Sequence, residues 1–124
     1  MILFDKQMIG KEWEVNQLTQ KCRHLLNQTV KYCEFQDYHI YLTCVYRSDE
    51  EQRILYEKIG QPYAPSVHSQ WRGFDFRIFP DAQFNQWLTD KVNTMFPYDP
   101  SRPEKVSLLR HVGSGDHFHG QTLT

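Results

Sequence analysis

GFDFRIF, residues Gly73 to Phe79, reads as a β-strand because apolar and polar side chains alternate along it. Neighbouring side chains of a strand point to opposite faces, so Phe74, Phe76 and Ile78 are expected in a core, with Asp75 and Arg77 on the other side. Working outward, YHIYLTCVY (residues 38–46) is rich in aromatic and β-branched residues and predicts another strand. Between the two, Ser48 precedes Glu51 by three in a capping-box pattern, which opens a helix over residues 50–59 closed by Gly60. Residues 60–66 (GQPYAPS) form a loop punctuated by Pro62 and Pro65.

Upstream, Leu18, Cys22, Leu25, Leu26, Val30 and Cys33 recur at three- and four-residue steps, the signature of a one-faced helix over residues 15–35. Downstream, Pro80-Asp81 starts a helix with Phe84, Trp87, Leu88, Val92 and Met95 on its apolar side. A proline-rich loop (97–103) leads to candidate strands over 106–111 and 117–123. Helices and strands mix without a βαβ rhythm or a glycine-rich phosphate loop, so the expectation is one α+β domain over residues 1–124, with a small antiparallel sheet and flanking helices.

Composition narrows function mainly by exclusion. A net charge of -1 supplies no single-sign field for nucleic acid or an anionic membrane. No apolar run approaches the ~20 residues of a membrane span. The opening Met1-Ile-Leu-Phe-Asp is too short for a signal-peptide core, so synthesis in the cytosol without a signal peptide is expected. The three cysteines, Cys22, Cys33 and Cys44, are odd in number and lack a CxxC pair; all three are expected as buried free thiols. No serine or cysteine has the context of a nucleophilic hydrolase.

The six histidines are unevenly spread. His24 and His39 read as surface or partly buried side chains, whereas His68, His111, His117 and His119 gather beside the later loops and strands. His68 on a loop and Asp75 on the following strand can turn an imidazole and a carboxylate to one point. With a third histidine and an open position, such a set describes a catalytic zinc site rather than a closed structural one. His117 and His119 share one face of a strand, so either can be the third ligand. Asp116, three residues before His119, stands where a general base is wanted.

Ser66-Val67-His68 with Asp75, Asp116 with His119, and Tyr46-Arg47-Ser48 followed by Gln52 together resemble a known family over residues 45–121. It is that of the zinc D-alanyl-D-alanine carboxypeptidases and L-alanyl-D-glutamate endopeptidases, which includes phage endolysins and shares its zinc fold with hedgehog domains. The resemblance implies that His68, Asp75 and His119 bind Zn(2+), with His117 the alternative ligand. It also implies Asp116 as general base and Arg47 as oxyanion stabiliser, with Ser66, Gln52 and Trp71 beside the substrate. The family usually has Gly and Ala where this chain has Trp71 and Gly73, and Trp71 either walls the groove or caps the loop. The implied substrate is a short peptide, the peptidoglycan stem, acted on by a monomer in a host cytoplasm or a virion. The alternative is a zinc-binding structural or virion-associated module of the same fold that no longer catalyses.

Overall fold

The computed structural model describes residues 2–79, 85–111 and 117–124. Among these, five strands form one sheet: β1 (Ile2–Phe4), β2 (His39–Cys44), β3 (Gly73–Phe79), β4 (Leu108–His111) and β5 (His117–Gln121). Their spatial order is β1-β2-β3-β5-β4, with β1 parallel to β2 and every other pair antiparallel. Three α-helices accompany it: α1 (Gln20–Phe35), α2 (Asp49–Lys58) and α3 (Asn85–Met95). The fold is α+β. No helix among the described residues is long and apolar enough to cross a membrane.

Leu25, Leu26, Ile40, Leu42, Phe74, Phe76, Leu88, Val92, Leu108 and Phe118 are buried in one cluster between the sheet and the helices α1 and α3. Phe76 stacks on Phe118 with ring centroids 5.1 Å apart, tying β3 to β5 at the centre of the sheet. Asn93 docks α3 onto the sheet edge: its Oδ1 accepts from the backbone N of Ser107 and Leu108, at 2.9 and 2.8 Å. Its Nδ2 donates to the Leu108 carbonyl.

Several boundaries differ from those the spacing suggests. Leu18 is buried, but it ends a 3₁₀ turn (Glu12–Gln17), and α1 begins after Thr19, whose side chain caps it. The apolar step from Leu18 to Cys22 reflects shared burial, not a continuous helix. The strand expected over 38–46 is shorter, and those over 106–111 and 117–123 shrink to β4 and β5. Trp87 and Met95, assigned to the apolar side of α3, are 40% and 53% exposed; of the described members of that set, Leu88 and Val92 point inward. The expected start of α3 at Pro80-Asp81, with Phe84, lies outside the described residues. The Ser48–Glu51 capping box is present in full, and Gly60 closes the region after α2 at φ +68, a conformation glycine adopts without strain.

Gly120 on β5 faces the flat side of Phe74, and a Cβ there would penetrate the ring. Phe74 is fully buried and has nowhere to move. Gly120→Ala should therefore cost about 1–3 kcal/mol through overpacking. A urea titration showing an unchanged midpoint would contradict this packing.

Candidate metal centre

The site forms where β3, β5 and the segment before β3 meet. Residues Val67–Gln70 form a 3₁₀ turn capped by Ser66, whose hydroxyl accepts from the His68 backbone N at 3.1 Å. Ser66 thus shapes the turn that carries His68. The turn ends at Trp71 in the left-handed region, φ 58. This is the position where the resembled family carries glycine. Trp71 adopts it while stacked on Tyr46, ring centroids 4.4 Å apart, with Trp13 at 6.4 Å on the outside. Two residues on, a Cβ at Gly73 would stand 2.6 Å from Val67 Cγ2 and 3.3 Å from the His119 ring. The missing side chain lets the turn and the His119 imidazole close together.

Pairing then brings the donors into line. Asp75 lies opposite His119 in the β3–β5 register, while His117 lies opposite His111 on β4. His68 Nε2 is 3.2 Å and His119 Nδ1 is 2.7 Å from the same oxygen, Asp75 Oδ1. His68 and Asp75 are 2% and 9% exposed. The His117 ring instead sits 5.0 Å from that of His111. Asp116, the expected base, lies outside the described residues.

What surrounds the two imidazoles fixes their protons. His68 Nδ1 is 2.9 Å from the Val45 carbonyl oxygen, which can only accept, so Nδ1 carries a hydrogen. Gln121 Nε2 donates to the Val106 carbonyl at 2.9 Å, which turns Gln121 Oε1 toward His119 Nε2 at 3.1 Å. His119 Nε2 therefore carries a hydrogen as well. In each neutral ring the inner nitrogen is then a lone pair aimed at a carboxylate oxygen. Two nitrogen lone pairs then face one carboxylate oxygen, and such an arrangement persists only with cations between them. Those cations are protons or a metal ion. The outer hydrogen bonds are the kind that orient histidine ligands.

Without a metal, protons do the work. Burial disfavours charge on His68, but the hydrogen bond to Asp75 and the neighbouring Cys44 outweigh it and hold its pKa up at about 10. Burial likewise opposes the Asp75 anion, yet hydrogen bonds from His119 and His68 keep its carboxyl well below the usual carboxylate range. His111, on the sheet edge, is shifted down by burial and by the neighbouring His117 and His119.

Cys44 departs from expectation. Cys22 and Cys33 are fully buried thiols whose pKa burial pushes up to about 12, the inert cysteines the sequence suggests. Cys44 is only partly buried and lies 3.8 Å from His68 Nδ1. A register shift between Leu42 and Cys44 pairs Leu42 with Phe76 but Cys44 with Asp75. The extra residue, Thr43, reverses the alternation and delivers the thiol to the face of Asp75. Donor atoms of Cys44, His68 and Asp75 lie within 4.8 Å of one another, close enough to hold a metal ion.

Arg47 and Gln52 reach this region together. Arg47 Nη1 donates to Gln52 Oε1 at 3.0 Å, and Nη2 lies 3.9 Å from Cys44 Sγ. Gln52 is the one buried residue of α2, and its Nε2 donates to the Ala64 carbonyl at 3.1 Å. It therefore acts as a brace for Arg47 and the 61–66 loop. Comparison with family models, with curated proteins and with solved structures finds no match for the chain.

Proposed function

We propose that this chain is a zinc-dependent peptidase that hydrolyses an amide bond in a short peptide of the peptidoglycan-stem type. The observation that carries the reading is the convergence of His68 Nε2 and His119 Nδ1 on Asp75 Oδ1, with both outer ring nitrogens already committed as donors. Zinc bound by three nitrogen and oxygen ligands at about 2.0–2.2 Å places neighbouring donors roughly 3.4 Å apart. The His68–Asp75 separation of 3.2 Å is close to that, and His119, at 2.7 Å, has to withdraw slightly. Imidazole and carboxylate donors suit zinc better than calcium or magnesium, which prefer all-oxygen sets.

Bound zinc supplies a Lewis acid and lowers the pKa of a coordinated water toward about 7. The chain's own residues supply the rest. Val45 and Gln121 hold the two imidazoles in their ligating orientation. Arg47, braced by Gln52, offers a guanidinium to a carbonyl oxygen that gains negative charge, an effect worth about 3–4 kcal/mol for one well-placed donor. Asp116 serves as general base on the strength of the sequence resemblance.

Incubation of the purified chain with peptidoglycan stem peptides should yield cleavage that chelation abolishes and zinc restores. His68→Ala should remove it, and Asp116→Ala should lower it by about 10²–10⁴-fold, the usual contribution of a general base. Cleavage that survives His68→Ala overturns the reading. A module that holds zinc without catalysis is favoured by one observation, the proximity of Cys44, which could complete a closed four-donor set. It predicts one equivalent of zinc with no cleavage, in the wild type and in Asp116→Ala alike.

A further inference from the structure

We propose that Cys44 is an exchangeable fourth donor to the metal held by His68, Asp75 and His119, closing the site at rest and leaving it when substrate enters. This rests on the metal-site reading above and goes beyond it, because the resemblance assigns Cys44 no role. Three features of the fold carry it. The shift in the β2–β3 register spends a whole residue to bring Cys44 opposite Asp75, where regular pairing would have presented Thr43. The thiol then stands within 4.8 Å of the Asp75 and His68 donors. Finally, its sulfur is in reach of the Arg47 guanidinium at 3.9 Å, the group proposed to meet the substrate carbonyl.

The resting contacts of the sulfur, at 3.8 Å from His68 Nδ1 and 3.9 Å from Arg47 Nη2, suit an exchangeable ligand over a permanent one. Zinc–sulfur and zinc–oxygen bonds of about 2.3 and 2.1 Å at a tetrahedral angle put sulfur roughly 3.6 Å from the carboxylate oxygen. The sulfur lies within 4.8 Å of that oxygen, and rotation about the Cys44 Cα–Cβ bond supplies the adjustment. His68 Nδ1, 3.8 Å from the sulfur, stays on the Val45 carbonyl throughout, so Nε2 remains the metal-facing atom. On ligation the S–H bond breaks, its electron pair passes to the metal and its proton to solvent; on release the thiolate regains a proton from solvent. With Cys44 bound, the site has four protein ligands and is structural in character. With Cys44 released, it has three and an open position. Arg47, freed from the sulfur, is then available to the substrate carbonyl.

Cobalt(II) reports the difference directly, since a thiolate ligand adds a charge-transfer band in the near ultraviolet that nitrogen and oxygen ligands do not. The metal-free full chain is titrated with cobalt(II) chloride, and Cys44 alkylation is followed in parallel by peptide mass spectrometry. The expected result is one equivalent of cobalt, a charge-transfer band, and protection of Cys44. Cys44→Ser should keep the equivalent and lose the band. One equivalent bound with only visible d–d bands and no protection overturns the inference while leaving the metal site intact. No cobalt bound overturns both. Should Cys44→Ser fail to fold, the wild-type band and the alkylation result decide the matter alone.

Discussion

Asp75→Asn should abolish stoichiometric zinc binding, and at pH 6 it should destabilise the metal-free chain by about 3–5 kcal/mol, the usual cost of removing one partner from a buried ion pair. Both effects follow from a single oxygen. Asp75 Oδ1 accepts from His68 and His119 at once, so an amide there removes the one anion that faces both imidazoles among the described residues. The expected loss of zinc affinity exceeds that of Gln121→Ala, which takes away only the partner orienting His119 and should cost about 10–100-fold. Isothermal titration with zinc and urea denaturation of the apo-proteins measure the two effects separately. Equal zinc affinities in Asp75→Asn and Gln121→Ala would mean that Asp75 is an orienting group and not a ligand.

The parts of the fold legible in the sequence are those in which a local rule and tertiary packing agree. GFDFRIF is β3 to the residue, because Phe74 and Phe76 are buried on the face that the alternation assigns them. Ser48 and Glu51 cap α2 through bonds that need only their own neighbours. Period counting fails where the chain breaks its own period. The register shift before Cys44 moves that thiol from the expected core to the face of Asp75. In β1, three residues paired in parallel to β2 are too few to show a pattern. The choice between His117 and His119 is closed to sequence periodicity, since residues two apart share a face. Strand register separates the two, placing His119 beside Asp75 and His117 beside His111. The oxygen acceptors that orient the imidazoles, the Val45 carbonyl and Gln121 Oε1, carry no motif at all; only folding brings Val45 to His68 from 23 residues away.

If the proposed zinc site holds, the pH dependence of the metal-free and zinc-loaded chains should diverge, because the buried proton on His68 stands where the metal would. His68 has its pKa raised from 6.5 to about 10 in the folded chain. A raised pKa stabilises the fold fully below the unfolded value, so this contribution holds up to about pH 6.5 and fades as pH rises toward 10. Asp75 has its pKa lowered from 3.8, so its contribution is present above that value and fades only as pH falls below it. The apo-protein should therefore be most stable between about pH 4 and 6.5, then lose up to about 1.4 kcal/mol per pH unit, a drop of a few degrees in Tm for a chain this size. Zinc needs the lone pair on His68 Nε2, so binding expels that proton, and the loaded chain no longer depends on His68 titration above pH 6.5. Its Tm should stay level from pH 6.5 to 9 while that of the apo-protein falls, so that the stabilisation by zinc widens with pH. The same proton should appear in calorimetry as a zinc-binding enthalpy that varies with the ionisation enthalpy of the buffer. Apo and zinc-loaded melting curves that run parallel across this range would mean that the metal does not displace a proton from His68, and the donor assignment built on Val45 and Asp75 would fall with it.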